Sequence, residues 1–129
     1  MEKRLILIAD DDPDVRESLR LMLAETSHEL VFATNGEEVI KKINERIPDL
    51  LVLDLLMPKM DGFEVIKQLK NNPQFSKIPI LVLTAVGKKV SERRYELETG
   101  VSMDIDDYVE KPVNPKDFIY RVQKILNRK

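Results

Sequence analysis

The chain has 129 residues and a net charge of −2, so it is long enough for one domain with a substantial core and has no basic character to attract nucleic acid or an anionic membrane. It contains no cysteine, which excludes disulfides, thiolate metal sites and a cysteine nucleophile, and its single histidine excludes multi-histidine zinc sites. No apolar run approaches transmembrane length, and the first residues lead into a short strand rather than a signal peptide. We therefore expect one cytoplasmic domain over residues 1–129.

Short apolar runs alternate with helical patterns along the chain. The runs that predict strands are Leu5 to Ala9, Glu29 to Ala33, Leu50 to Leu53, Ile80 to Leu83 and Tyr108-Val109. The segments that predict helices begin at Pro13, at Asn35-Gly36, at Gly62, at about Lys88 and at Asn114-Pro115. Five strand–helix units imply a parallel five-stranded sheet with helices on both faces and right-handed crossovers.

Local signals mark several helix ends. Asp12 fits an N-cap with Pro13 at the first helical position, and Asp61 fits the cap of the third helix. The second helix is expected to bury an apolar stripe that extends as far as Ile47, with Pro48 ending the helix.

The most apolar run ends on a carboxylate. Four apolar residues from Leu50 to Leu53 fit a strand buried on both faces, and Asp54 follows at its carboxyl end. A loop aspartate that only turns the chain is the alternative interpretation. Because Leu55 and Leu56 come next, however, Asp54 needs a partner to stay ionised. In open α/β sheets this edge is where ligands bind.

Other strand ends also carry polar side chains. Asp10 and Asp11 follow the first strand without a capping role, Thr84 ends the fourth strand, and Lys111 follows the fifth. In the strand order 2-1-3-4-5, the first and third strands flank the switch point, so these side chains and Asp54 converge there. Taken singly, the acid pair fits a turn, Thr84 fits a β-branched strand residue and Lys111 fits a solvated charge. The functional interpretation depends on their shared position.

The predicted cluster of Asp10, Asp11 and Asp54 calls for a cation, because three carboxylates in one pocket repel one another. Oxygen ligands without histidine or cysteine suit Mg²⁺. With Thr84 and Lys111 beside it, such a cluster fits phosphoryl chemistry. Asp54 would then be the nucleophile and would form an aspartyl-phosphate.

Four segments together resemble the receiver domain of bacterial two-component response regulators, and the resemblance covers essentially the whole chain. They are Asp10-Asp11, Asp54-x-x-Met57-Pro58-x-Met60-Asp61-Gly62, Thr84-Ala85 and Asp107-Tyr108-x-x-Lys111-Pro112. The resemblance implies a flavodoxin-like, doubly wound α/β fold with strand order 2-1-3-4-5.

The resemblance also implies a metal site and a phosphorylation site. Asp54 resembles the phosphoacceptor, Asp11 the direct Mg²⁺ ligand and Asp10 a ligand through water. Asp54 would also be part of the metal site, and the backbone carbonyl of Leu56 would complete it. Mg²⁺ is therefore the expected cofactor.

Three further residues take switch roles by the same resemblance. Thr84 and Lys111 resemble the phosphoryl contacts, and Thr84 and Tyr108 resemble the pair that changes conformation. One departure from the family pattern is the longer connection from Val101 to Ile105. It adjoins the predicted fourth helix and fifth strand, where such domains usually meet their partners.

The resemblance implies a stand-alone signalling switch of the chemotaxis or phosphorelay type. A histidine kinase or histidine phosphotransfer protein would phosphorylate it. It would then bind a downstream protein through the fourth helix, fifth strand and last helix, without contacting nucleic acid or membrane directly. We expect a monomer or a phosphorylation-dependent dimer. The chain would catalyse only its own phosphorylation and its own dephosphorylation. Dephosphorylation would be slow, because Leu56 and Val86, the residues expected to flank the approach of the attacking water, are apolar.

Two alternatives come from other functional classes. A phosphatase with an aspartyl nucleophile would favour a second acid two residues beyond Asp54, where this chain has Leu56. An FMN-binding flavodoxin would carry Ser/Thr-rich phosphate loops and flanking aromatic residues, whereas this chain has acidic loops and no tryptophan.

Overall fold

The computed structural model describes residues 3–84 and 105–128. The strands are β1 (Leu5–Ala9), β2 (Glu29–Ala33), β3 (Leu50–Asp54), β4 (Ile80–Thr84) and β5 (Asp107–Glu110). The described helices are α1 (Pro13–Leu23), α2 (Gly36–Glu45), α3 (Gly62–Lys70) and α4 (Pro115–Leu126), and a 3₁₀ turn at Ala24–Thr26 follows α1. The helix predicted from about Lys88, the Val101 end of the long connection and Val86 lie outside the described residues.

All five strands are parallel, in the order β2-β1-β3-β4-β5, which confirms the predicted fold. The register aligns the carboxyl ends of neighbouring strands. Ala9 pairs with Leu53, Asp54 with Leu83, and Thr84 with Glu110. Side chains that follow these strands therefore meet at one edge of the sheet, as the sequence predicts.

The sheet is covered on both faces because alternate strand residues point to opposite sides. On β1, Leu7 lies in the core cluster shared with α2 and α3, whereas Ile6 and Ile8 lie in the cluster shared with α1 and α4. β1, β3 and β4 are buried along their whole lengths, as expected for central strands of a doubly wound sheet.

The predicted helix caps are confirmed, but the prediction that Ile47 is buried is wrong. The Asp12 carboxylate accepts a hydrogen bond from the Asp14 amide (2.9 Å), and the Asp61 carboxylate accepts one from the Glu64 amide (3.0 Å). Ile47, expected to be buried on α2, is 47% exposed. The helix already ends at Glu45, so Ile47 leaves the apolar stripe. No described helix is long and apolar enough to cross a bilayer.

Candidate functional site

Of the side chains predicted to converge, those of Asp10, Asp11, Asp54 and Lys111 meet at the carboxyl edge of the sheet. Carboxylate oxygens of Asp10, Asp11 and Asp54 all lie within 4.8 Å of one another. The Lys111 ammonium lies 2.7 Å from Asp10 Oδ2 and 3.7 Å from Asp54 Oδ2. Among the described residues, Lys111 is the cation that pairs with these three carboxylates, which leaves an excess of negative charge within that group of four side chains.

Asp10 is the most tightly held member of this acid cluster. It is fully buried, and its Oδ1 accepts a hydrogen bond from the Asp12 amide (2.9 Å). Its own backbone amide donates to the Ala33 carbonyl (3.1 Å), and its backbone carbonyl accepts from the Arg16 guanidinium (2.7 Å). Apart from the ion pair with Lys111, no residue in the described part of the chain donates a hydrogen bond to Asp10 Oδ2. That oxygen has capacity for a further electropositive partner.

Asp54 lies at the end of β3 and is only 4% exposed. Its Oδ1 accepts a hydrogen bond from the Leu56 amide (3.2 Å). Burial raises its pKa from 3.8 to about 6, and the negative charge of Asp10 adds to this shift; Lys111 and the Leu56 amide oppose it. At neutral pH Asp54 is therefore mostly ionised, although burial destabilises the ionised form relative to an exposed aspartate.

Lys111 follows β5, in a turn where its peptide bond to Pro112 is cis. Its backbone amide donates to the Thr84 carbonyl (2.7 Å), which fixes the turn against the end of β4. Burial acts to lower the pKa of the ammonium. The carboxylates of Asp10, Asp54 and Asp11 outweigh burial, so the pKa is raised above its ordinary value and Lys111 stays cationic.

Thr84 is buried, and its hydroxyl donates a hydrogen bond to the Val109 carbonyl on β5 (3.3 Å). Tyr108, the next residue back on β5, is 40% exposed. The hydroxyl is thus engaged with the strand that carries Tyr108. Val86, two residues beyond Thr84, lies outside the described residues.

The donor set fits a hard divalent cation. In the part of the chain that the structure describes, it consists of three clustered carboxylates paired with one lysine, with no sulfur or imidazole ligand. Besides the carboxylates, the loop after β3 offers backbone oxygens. In this loop, Leu56 has a side chain that is 38% exposed and a backbone amide that donates to Asp54 Oδ1, so its backbone lies beside the acid cluster.

Residues 6–123 match the family model of the response regulator receiver domain. The chain belongs to this family. The probable transcriptional regulator ycf27 of Pyropia yezoensis is 38% identical to this receiver domain over 98% of the chain and 49% of that protein. The alkaline phosphatase synthesis transcriptional regulatory protein PhoP of Bacillus subtilis (strain 168) is 37% identical over 95% of the chain and 48% of that protein. The receiver domain spans about half the length of these two curated relatives.

A solved structure extends the likeness to the fold. The crystal structure of a putative response regulator from Chloroflexus aurantiacus J-10-fl is similar with a TM-score of 0.85 and 36% sequence identity. The similarity covers 98% of this receiver domain and 99% of that chain. Family, fold and strand order are therefore established independently of the site geometry.

Sequence reasoning missed Arg16 in this receiver domain. Its guanidinium binds the Asp10 backbone carbonyl and so fixes the loop that carries the acid pair. The only sequence feature that points to Arg16 is its position relative to the N-cap of α1. A cation four residues beyond the N-cap Asp12 lies one turn into α1, on the side where the helix meets its preceding loop.

Proposed function

We propose that this receiver domain is a phosphorylation-controlled signalling switch that accepts a phosphoryl group on Asp54 from a phosphohistidine of a kinase or phosphotransfer protein. The observation that carries the proposal is the placement of Asp54. Its buried carboxylate lies at the end of a central strand, beside the acid pair and 3.7 Å from the Lys111 ammonium. Receiver-domain membership supports phosphorylation-controlled signalling in general.

The chemistry follows from charge. The ionised Asp54 carboxylate attacks phosphorus, the bond from phosphorus to the donor nitrogen breaks, and the leaving imidazole takes up a proton. Lys111, 3.7 Å from Asp54 Oδ2, then neutralises a phosphoryl oxygen, and the Thr84 hydroxyl donates to another. Each phosphoryl contact requires its side chain to give up part of its present bonding, to Asp10 or to Val109.

Mg²⁺ is the proposed cofactor. Asp10, Asp11, Asp54 and the backbone carbonyl of Leu56 would hold it, and when bound it would neutralise phosphoryl oxygens during transfer. The excess negative charge of the cluster and the spare capacity of Asp10 Oδ2 support this assignment.

The output is proposed to be a changed protein-binding face that includes β5 and α4. Tyr108 on β5 and Tyr120 on α4 are both substantially exposed, and Arg121 links the two elements through Asp107 (2.6 Å). The predicted fourth helix would complete this face but lies outside the described residues. A stand-alone role, cytoplasmic location, phosphorylation-dependent dimerisation and the absence of other catalysis stay predictions.

Phosphotransfer tests the proposal. Purified, radiolabelled histidine kinases and phosphotransfer proteins are incubated with the receiver domain in the presence of Mg²⁺. At least one is expected to transfer label to the wild type and none to Asp54→Asn. A wild type that takes label from no donor, or an Asp54→Asn variant labelled equally well, would refute the proposal.

A further inference from the structure

The start of α2 touches the loop between β3 and α3 without an intervening side chain. The Gly36 amide donates a hydrogen bond to the Met60 carbonyl (3.0 Å). A Cβ built on Gly36 would lie 2.2 Å from that carbonyl oxygen and 2.7 Å from the Met60 Cβ, closer than real Cβ atoms come to other atoms. Only glycine fits this contact, since any side chain at position 36 displaces one of the two segments.

The steric limit at Gly36 is set mainly by backbone. The nearest atom is the Met60 main-chain oxygen, so shortening the Met60 side chain leaves the closest contact in place. Glycine is otherwise disfavoured in a helix relative to alanine. Its presence in the first turn of α2 is therefore accounted for by the close approach to Met60.

The α2 side of the contact is firmly anchored. Asn35 Oδ1 accepts a hydrogen bond from the Glu38 amide (2.9 Å), and Glu38 Oε1 accepts one from the Thr34 amide (2.8 Å). These two bonds hold the first turn of the helix against the two residues that precede it. A clash at Gly36 is therefore passed to the loop that contains Met60.

The loop side joins this contact to the acid cluster. The Leu56 amide is bound to Asp54 Oδ1 at one end of the loop, and the Gly62 amide donates to the Leu55 carbonyl (2.9 Å). Met60 is itself held by a hydrogen bond from its amide to the Pro58 carbonyl (2.7 Å). Leu56 thus lies on a short loop that is held by several hydrogen bonds, and we expect displacement of Met60 to alter the backbone at Leu56.

We propose that Gly36 is a positioning residue for the cation site. By holding the Met60 main chain against α2, it sets the backbone of Leu56 and hence the carbonyl that would complete the metal ligands. The inference rests on the proposed function for its metal site. Gly36 donates to Met60, and Met60 donates to Pro58 in the same loop, so the effect is transmitted through the loop.

The experiment compares Gly36→Ala with Val39→Ala, a control that removes a buried side chain from the same helix but adds no atom against the Met60 backbone. Mg²⁺ affinity is measured by calorimetric titration on the folded proteins. Gly36→Ala is expected to weaken Mg²⁺ binding about tenfold or more, the scale of an outer-shell defect, while Val39→Ala binds like the wild type. Equal affinities of Gly36→Ala and wild type would overturn the inference.

A second readout needs no metal. In Mg²⁺-free protein, the NMR amide signals of Leu56 and Asp61 are expected to shift more in Gly36→Ala than in Val39→Ala, because only Gly36→Ala adds an atom against the Met60 backbone. If the wild type fails to bind Mg²⁺, the metal assignment fails by itself. The amide signals then still decide whether Gly36 positions the loop, and unshifted signals would overturn that part.

A milder variant covers the case in which Gly36→Ala does not fold. Asn35→Ala adds no atom near Met60 but removes the cap of the first turn, so α2 holds the loop less firmly. It is expected to weaken Mg²⁺ binding severalfold relative to Val39→Ala. If Asn35→Ala and Val39→Ala both bind like the wild type, the coupling between α2 and the cation site is refuted.

Discussion

The Lys111 ammonium lies 2.7 Å from Oδ2 of Asp10, a carboxylate with no solvent exposure. Its distance to Asp54 Oδ2 is longer, 3.7 Å. Without a phosphoryl group, the lysine therefore compensates the buried member of the acid pair more directly than the proposed phosphoacceptor. We expect its contact with Asp10 to stabilise the fold and its nearness to Asp54 to make it available for the proposed phosphoryl transfer.

Replacement of Lys111 by methionine should destabilise the Mg²⁺-free protein. Asp10 would be left buried without its ion-pair partner, and such a loss costs about 3 kcal/mol. Urea unfolding measures the difference, with Lys116→Met, an exposed position on α4, as control. Added Mg²⁺ should reduce the loss because a cation again faces the acids. Equal unfolding free energies for the two variants would contradict the ion-pair assignment.

Stability should also report the raised pKa of Asp54. Because the folded-state pKa, about 6, exceeds the ordinary 3.8, the folded protein binds more protons between these values. Stability contributed by neutral Asp54 is therefore present below pH 3.8 and lost as pH rises through about 6. The unfolding free energy of Asp54→Asn minus that of the wild type should therefore be larger above pH 7 than below pH 3.8, by up to about 3 kcal/mol.

Urea unfolding of Asp54→Asn and wild type across this pH range, in chelator-treated buffer, measures the effect. Asp14→Asn on the exposed side of α1 serves as the matched control, since it removes one charge outside the acid cluster. A stability difference between Asp54→Asn and wild type that stays constant with pH would show that Asp54 is not desolvated.

Asp11 should matter for Mg²⁺ binding and oppose folding of the metal-free protein. Asp11→Ala removes a proposed direct ligand and one of three clustered negative charges. Mg²⁺ affinity should fall strongly, while the metal-free unfolding free energy rises. Asp14→Ala makes the same charge change outside the cluster and should alter neither quantity appreciably. Unchanged Mg²⁺ affinity in Asp11→Ala would contradict the site.

Thr84 should couple phosphorylation to the exposed face of β5. Its hydroxyl now donates to the Val109 carbonyl, and a phosphoryl ligand biases only states that it contacts differently. A phosphoryl mimic with Mg²⁺ should therefore shift the ring signals of labelled Tyr108 in wild type. The shift should be smaller in Thr84→Val, with the exposed Tyr120 ring as internal reference. Equal Tyr108 shifts in both proteins would place the coupling elsewhere.

The fold and the acid cluster were predictable because both depend on patterns local in sequence. Apolar runs of strand length alternate with helical spacing, and polar residues stand where the runs stop. Once parallel strands align their carboxyl ends, Asp10, Asp54 and Lys111 must approach one another. Resemblance to receiver domains added roles, such as that of the Leu56 carbonyl, that spacing alone does not assign.

The remaining features depend on contacts between distant segments. Lys111 pairs more closely with Asp10 than with Asp54, and this preference is set by side-chain placement in the folded turn. Gly36 meets Met60 through backbone atoms, so a glycine in the sequence shows that something comes close but not which residue does. Ile47 continues the apolar stripe of α2 in sequence but follows the end of the helix.

Phosphorylation of Asp54 is the central claim, and intact-protein mass spectrometry tests it most directly. The protein is incubated with acetyl phosphate and Mg²⁺, and Asp54→Asn and Asp14→Asn are treated alongside. Wild type and Asp14→Asn should each gain the mass of one phosphoryl group, and Asp54→Asn should gain none. A phosphoryl gain in Asp54→Asn equal to that of the wild type would contradict the account.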